Sequence, residues 1–201
     1  IFAIDISKTS LAYAKKMTDQ YKIQNIKYFQ TDILNIDLLK ESFDMIICSG
    51  VLHHMEKPFE GLKSLCKVLK PNGYLKLGLY STIARSSIKK LRNDIEKSDL
   101  DFNKKNMSKM REKILNSNNI KIKILSKSSD FYSTSSFRDL IFNKIEHTFT
   151  LVEIENEILK QNLKFKGFDI FPKHIEQFKS FYPGYKSELK LKYWNDYEIN
   201  F

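Results

Sequence analysis

Residues 42–81 constrain the fold of this chain more than any other stretch, because they combine two strand patterns with one helix pattern. Residues 43–48 form a short apolar run, as expected for a strand buried on both faces of a parallel sheet. Apolar residues then recur at helical spacing, at Met55, Phe59, Leu62, Leu65, Cys66 and Leu69. Pro71-Asn72-Gly73 ends this helix, and the alternation in residues 74–80 predicts a second strand. The stretch therefore predicts a strand–helix–strand unit of an α/β sheet.

Two acidic residues follow predicted strands earlier in the chain. Asp5 ends the apolar run of residues 2–4, and Asp32 comes after the predicted strand of residues 26–29. The carboxyl ends of strands in an open α/β sheet are where ligands bind, and one carboxylate can accept from both hydroxyls of a ribose. A carboxylate can also accept from the amine of adenine. Taken alone, however, Asp5 is better explained as a cap of the next helix, and residues 31–34 as a turn.

The order of these motifs resembles the class I S-adenosylmethionine-dependent methyltransferases. The resemblance rests on FDMIICSGVLHHM followed, at the family's spacing, by VLKPNGYLKLGLYS. It implies a Rossmann-like α/β fold, with the second to fifth strands in residues 1–81, and S-adenosyl-L-methionine as the cofactor. It assigns Asp5 to the ribose, Asp32 and Ile33 to the adenine, and Ile6 and Ser49 to further cofactor contacts.

Two histidines follow the fourth strand of the family, close to where the methyl donor is expected. Histidine titrates near neutral pH and can act as a general base where the acceptor must lose a proton. His54 is therefore the candidate catalytic residue, and His53 is a candidate substrate contact. The alternative is that one of the two only orients the loop through hydrogen bonds.

The chain departs from the family at its glycine-rich loop, since the first glycine is Gly50. The first strand and its loop have no counterpart, so we expect a chain truncated at its amino end. The resemblance also places the antiparallel seventh strand after Phe201. A sheet without its central strand exposes unpaired edges, so this fragment is predicted to bind the cofactor poorly and to be inactive alone.

Residues 82–150 are predicted to be a helical insertion after the fifth strand, which could cover the substrate side as a lid. The pattern DFYSTS..RDL.F...EH.FT resembles bacterial methyltransferases that are often joined to tetratricopeptide repeats. It makes Tyr132, Arg138 and His147 candidate substrate contacts. The alternative is that Arg138 pairs with Asp139 on the surface and His147 caps a helix.

The other segments around and after this insertion are less specific. The spacing of Thr150 and Glu153 predicts a capping box at the start of a helix. Residues 120–127, IKIKILSK, fit an exposed edge strand or a linker. Residues 151–201 are predicted to return to the core, with a sixth strand at 163–170 and helices at the end.

Composition limits the partners. The formal net charge is +10, but arginine occurs only four times and lysine is spread through every segment. Nucleic-acid surfaces favour clustered arginine with exposed aromatic residues, so nucleic acid is not expected as a partner. No apolar stretch is long enough to span a membrane, and we expect a cytoplasmic protein. No metal site is predicted, and the two cysteines are interpreted as buried thiols.

Two rival functions remain open from the sequence. A nicotinamide-dependent oxidoreductase also places an acidic residue after its second strand, but the VLHHM loop and the LKPNGYL turn argue against it. A non-catalytic protein-binding adaptor could keep the same fold without the glycine loop. The favoured prediction is a methyltransferase whose acceptor, a protein or a small molecule, the sequence does not reveal.

Overall fold

The computed structural model describes residues 1–98 and 102–200. These residues form two compact units, the first spanning Ile1–Leu79 and the second beginning at Tyr80. This boundary lies close to the predicted one at residue 81. The residues after Thr150 group with the second unit, and their return to a methyltransferase core stays a prediction.

The first unit alternates strands and helices. Its elements are β1 (Phe2–Asp5), α1 (Lys8–Gln20), β2 (Lys27–Gln30), β3 (Phe43–Ser49), α2 (Pro58–Val68) and β4 (Leu69–Gly78), with short 3-10 helices at Ile33–Leu39 and Leu52–His54. β1 pairs in parallel with β2, so that Asp5 lies opposite Gln30. β3 pairs in parallel with β4, so that Ser49 lies opposite Gly78. The two pairings confirm the predicted parallel α/β architecture.

The two strand pairs form separate two-stranded sheets within the described chain, so a continuous Rossmann-like sheet is not present. They are linked by packing, because the rings of Phe2 and Phe43, at the starts of β1 and β3, lie 5.2 Å apart. Ile4 of β1 also packs against the buried cluster of Ile36, Ile46, Cys48, Leu52, Leu62, Leu65 and Val68. This cluster is the core of the first unit.

β3 is buried on one face only, which corrects the prediction of a strand buried on both. Ile46 and Cys48 point into the core with the apolar stripe of α2. Met45 and Ile47, on the other face, are 57% and 65% exposed. The physical reason is that the two sheets are separate and α2 covers only one side of the β3–β4 pair. Successive side chains of a strand point to opposite faces, so Met45 and Ile47 point away from α2.

Pro71-Asn72-Gly73 does not end the helix as predicted, because α2 ends earlier, at Val68, and these three residues lie within β4. β3 and β4 change register here, since Phe43 pairs with Leu69 and Met45 with Tyr74. Asn72 has a φ of 62°, in the left-handed region that asparagine tolerates. The extra residues therefore bulge out of β4 instead of separating it from the helix.

The second unit is helical. Its elements are α3 (Ser86–Lys97), α4 (Lys104–Leu115), α5 (Ile120–Lys123), α6 (Thr134–Phe137), α7 (Leu151–Lys160), α8 (Pro172–Phe181) and α9 (Leu191–Asn200), with 3-10 helices at Ile124–Lys127, Ser129–Phe131 and Ser187–Leu189 and a π-helix at Arg138–Phe142. Its core is formed by Ile88, Leu91, Ile95, Met107, Met110, Ile114, Phe131, Phe137, Leu140 and Ile141. α3 contributes Ile88, Leu91 and Ile95 to this core, whereas Ile83 and Ala84 precede the helix. Asp99–Asp101, part of a predicted loop, lie outside the described residues, as does Phe201 with the strand expected beyond it.

Two segments of this unit differ from their predictions. Residues 120–127 form α5 and a 3-10 helix, neither an edge strand nor a linker, because Ile122 and Leu125 pack on the core at helical spacing. Residues 163–170 form no strand. Phe165 instead contacts Phe168 at 5.0 Å, and Phe168 contacts Trp194 at 5.1 Å, so aromatic packing replaces the ladder that a sixth strand needs. None of the described helices has the length and apolar character needed to cross a membrane.

Candidate functional site

Asp5 ends β1 as predicted and is half-buried. Its Oδ1 accepts a hydrogen bond of 2.8 Å from the backbone N–H of Ser7. Ser7 in turn caps α1, since its Oγ accepts from the N–H of Ser10 at 3.2 Å. The structure therefore gives the helix cap to Ser7 and leaves Oδ2 of Asp5 without a hydrogen bond among the described residues. Ile6, beside it, is 68% exposed.

Asp32 lies at the same edge of the β1–β2 sheet as Asp5. The N–H of Thr31 donates to the carbonyl of Asp5 at 3.2 Å, which joins the ends of the two strands. Oδ1 of Asp32 accepts from the N–H of Leu34 at 2.9 Å and begins the 3-10 helix. Ile33 is half-buried and packs against the core of the unit. The carboxylates of Asp5 and Asp32 are thus held by backbone donors on neighbouring loops.

Ser49 ends β3 and is exposed at the carboxyl end of the other strand pair. It approaches Gly78 closely: a Cβ on Gly78 would lie 2.2 Å from Ser49 Oγ and 2.9 Å from Ser49 Cβ. Only glycine fits opposite this serine. Gly50, the next residue, has a φ of 77°, which turns the chain sharply out of the strand. Gly78 therefore fixes the position of a predicted cofactor contact, a role that the sequence analysis missed.

The two histidines differ in accessibility. His53 is buried, with 1% of its surface exposed, whereas His54 is half-buried, and their rings lie 4.3 Å apart edge to face. Gly61 of α2 lets the helix approach their loop, because a Cβ there would lie 2.6 Å from Met55 Sδ and 2.8 Å from Leu52 Cδ2. His54 is thus the more accessible of the two, and the burial of His53 suits a residue that orients the loop.

Burial raises the pKa of the Cys48 thiol to about 11, an effect that the N–H of Leu52 partly offsets. The thiol is therefore protonated near neutral pH and is not a nucleophile there. Cys48 is buried as predicted, Cys66 is half-buried, and the two form no disulfide with each other.

The three candidate substrate contacts of the second unit lie in different surroundings. Tyr132 is 70% exposed, with its ring 5.2 Å from that of Phe131. Arg138 is exposed and places its guanidinium 5.1 Å from the ring of Phe102. His147 is half-buried and lines a cavity. The paired alternative for Arg138 and Asp139 is not among the ion pairs of the described residues.

Arg85, Arg92 and Glu146 form a buried charge triad that the sequence analysis did not predict. Arg85 donates to both carboxylate oxygens of Glu146, at 3.2 and 2.6 Å, and Arg92 Nη1 lies 3.1 Å from Glu146 Oε1. The side chain of Glu146 is only 4% exposed. One signal was available: two of the four arginines are seven residues apart, about two helical turns, in a segment predicted to be helical.

Arg92 also supports the end of the π-helix. Its Nη2 donates to the carbonyl of Asn143 at 2.6 Å and to that of Asp139 at 3.5 Å. The last carbonyls of a helix have no partner within it, so these bonds satisfy groups that would otherwise be unpaired. Burial lowers the pKa of the Arg92 guanidinium and the charge of Glu146 opposes that effect.

Comparison with known proteins gives matches at the level of sequence and of structure. The model of a family described as a methyltransferase domain matches residues 1–168. An uncharacterized protein of Synechococcus is 36% identical over 96 residues, which are 47% of this chain and 23% of that protein. The mitochondrial ubiquinone biosynthesis O-methyltransferase of Schizosaccharomyces pombe is 33% identical over 93 residues, 45% of this chain and 32% of that enzyme.

A similar fold is found in PKMT2 from Rickettsia typhi, whose structure was solved in complex with AdoHcy. The TM-score is 0.67 at 19% sequence identity, over 99% of this chain and 41% of that one. The likeness therefore concerns the fold. The chain spans about a quarter to a third of the length of the two curated relatives described above.

Proposed function

Since this chain belongs to the methyltransferase domain family, we propose that it forms part of an S-adenosylmethionine-dependent methyltransferase. S-adenosyl-L-methionine is the cofactor of the family. The observation that carries the proposal is the placement of two carboxylates, Asp5 and Asp32, on adjacent loops at the carboxyl end of a parallel strand pair. That edge is where open α/β sheets bind nucleotides.

The residues present fit the nucleoside part of this cofactor. Oδ1 of Asp5 is fixed by Ser7, and Oδ2 remains as an acceptor for a ribose hydroxyl. Asp32 is fixed in the same way by Leu34 and can accept from an adenine amine. Ile6 is exposed beside Asp5 and offers apolar surface, while Ser49 supplies a hydroxyl at the end of β3. We assign these residues, with Ile33, to the cofactor.

The bound cofactor supplies an activated methyl group, so the protein chiefly has to hold the acceptor in line and exclude water. His54 is the residue that we propose to accept a proton where the acceptor must lose one. His54 is partly exposed, which allows this role, whereas the buried His53 is proposed to orient the loop. Tyr132, Arg138 and His147 are proposed to contact the acceptor.

We further propose that the complete enzyme places a strand between β1 and β3. The support is structural: within the described chain β1 pairs only with β2 and β3 only with β4, although Phe2 and Phe43 bring the starts of β1 and β3 together. An unpaired strand edge offers backbone donors and acceptors to a further strand. The likeness to bacterial methyltransferases joined to tetratricopeptide repeats stays a prediction.

Binding of S-adenosylhomocysteine, measured by calorimetry, tests the proposal. The full-length protein is expected to bind it, and this chain alone to bind it much more weakly. In the full-length protein, Asp5→Ala should weaken binding by at least about tenfold, because a charge-assisted hydrogen bond is lost. The control is Asp19→Ala on the exposed side of α1, which should leave the affinity unchanged. Equal affinities for the two variants would contradict the assignment, and a full-length protein that does not bind would favour the adaptor.

A further inference from the structure

The second unit contains a polar cavity of about 310 Å³ between α3 and the segment that follows the π-helix. Its walls are formed by Lys89, Arg92, Asn93, Glu96, Asn143, Lys144, Glu146, His147 and Thr148. All of these residues carry a polar or charged side chain. A cavity of this kind suits a small polar ligand, because an apolar ligand would remove these groups from water without compensation.

The residues that form the cavity walls, with Arg85 behind them, carry more positive than negative charge. Glu146 is already paired with two arginines, Arg85 and Arg92, so it brings no net negative charge to the cavity. The remaining wall carboxylate is Glu96, and the wall also carries the ammonium groups of Lys89 and Lys144. An anion is therefore better matched than a cation.

The buried arginine strengthens this preference. Arg92 is 9% exposed, and its Nε makes no hydrogen bond within the described residues. Glu146, the ion-pair partner of Arg92, also pairs with Arg85, so the buried triad holds two positive charges and one negative charge. The second carboxylate that acts on Arg92 is Glu96 of the cavity wall. A buried excess charge is costly until an opposite charge comes near. An anion in the adjoining cavity would reduce that cost.

The walls are also held in place before any ligand binds. Arg92 fixes the carbonyls of Asp139 and Asn143, and the hydroxyl of Thr148 accepts from that of Thr82 at 3.2 Å. The guanidinium of Arg85 stacks on the ring of Tyr80 at 3.7 Å. Preorganised donors lose little conformational entropy on binding, which favours specific recognition.

We propose that this cavity binds the acidic group, a carboxylate or a phosphate, of a small polar ligand. The proposal goes beyond the proposed function, because it concerns an anion site formed by the second unit alone. Lys89 and Lys144 attract the group by charge, and Arg92 supplies the buried positive charge behind it. His147 then contacts the ligand as part of the cavity wall and does not act alone.

Titration of the full chain with two probes, malonate and inorganic phosphate, tests the binding site by calorimetry. We expect a dissociation constant of about 1 mM for the preferred probe, weakened by added salt. Lys144→Gln and Lys89→Gln should each weaken binding by about fivefold, since each removes one wall charge. Glu96→Gln should strengthen it by a similar factor. The stronger probe identifies the acidic group as carboxylate or phosphate.

Lys90→Gln is the matched control, because Lys90 neighbours Lys89 on α3 but does not line the cavity. It should leave probe binding unchanged. The inference is overturned if neither probe binds, if all three lysine variants behave alike, or if Glu96→Gln weakens binding. Affinity for S-adenosylhomocysteine in the full-length protein, measured separately, distinguishes the two proposals: anion binding without cofactor binding would contradict the proposed function and keep the anion site.

Discussion

Single residues in the first unit set the positions of groups that we assign to the cofactor. Gly78 is the clearest, since it lies directly opposite Ser49 with no space for a Cβ. The contacting atoms include the Cβ and Cα of Ser49, and these cannot move away by a change of rotamer. A side chain at position 78 must therefore displace the end of β3 or of β4.

We expect Gly78→Ala to lower the free energy of unfolding by about 1–3 kcal/mol, because it overpacks this strand end. Denaturation in urea, followed by circular dichroism, measures the change. Gly184→Ala is the control, since a Cβ at Gly184 has no heavy atom within 4 Å. A Gly78→Ala protein as stable as the Gly184→Ala protein would show that the two strand ends do not meet as described.

Cys48 gives a prediction in alkaline solution. The folded state raises the pKa of the thiol from an ordinary value of 9.0 to about 11, so folding favours the protonated form. The resulting stabilisation is complete below pH 9 and is lost as the pH rises toward 11. The free energy of unfolding should therefore fall over this range by more in the native protein than in Cys48→Ala. Parallel pH profiles for the two proteins would contradict the burial of the thiol.

At the scale of elements, the most local signals gave the most accurate predictions. Ser7 begins α1 and Thr150 begins α7, as their sequences predict, because a cap depends on only a few neighbouring residues. Residues 120–127 were harder, since isoleucine at every second position fits a strand as well as a helix. Their state depends on which residues reach the core, and only Ile122 and Leu125 pack there.

Residues 163–170 are a second segment whose structure the local sequence does not determine. Their alternation is typical of a strand, but a strand also needs a partner whose position the local sequence does not specify. Aromatic contacts to Trp194, about thirty positions later, decide the outcome here. The candidate site follows this rule. The positions of Asp5, Asp32 and Ser49 at or just after strand ends were predictable from the local sequence, whereas Gly78 and the triad depend on contacts between distant residues.

The capping box of α7 provides a prediction for one element. The Oγ1 of Thr150 accepts from the N–H of Glu153 at 3.2 Å, and the carboxylate of Glu153 accepts from the N–H of Thr150 at 2.8 Å. Thr150→Ala should lower the free energy of unfolding by about 1 kcal/mol, because it leaves a helix donor unpaired. Urea denaturation measures this loss. Thr150→Ser keeps the hydroxyl and should recover most of the stability; equal losses in both variants would exclude the cap as the cause.

At the scale of the whole molecule, charge and packing lead to different expectations. Each unit has its own buried apolar cluster, so the hydrophobic effect stabilises both. The net charge of +10 belongs to the whole chain and is carried mostly by dispersed lysines. Charge of this kind produces general attraction to polyanions without selection of a sequence or a shape.

Binding to nucleic acid should accordingly be weak and sensitive to salt. We expect dissociation constants above about 1 µM near physiological ionic strength, and the affinity should fall steeply as salt is added. Fluorescence anisotropy with labelled single- and double-stranded oligonucleotides of several sequences measures this. Tight binding that persists in salt or prefers one sequence would show that a dedicated nucleic-acid surface exists.

The buried triad of Arg85, Arg92 and Glu146 also has an evolutionary consequence. Loss of one member leaves a charge without its partner inside the second unit, whereas replacement of a whole buried ion cluster by apolar residues can be neutral. Routes from one arrangement to the other through single substitutions therefore pass through less stable proteins. Descendants of this chain should keep the three residues together or exchange them together, and a lineage that has lost Glu146 should have lost the two arginines as well.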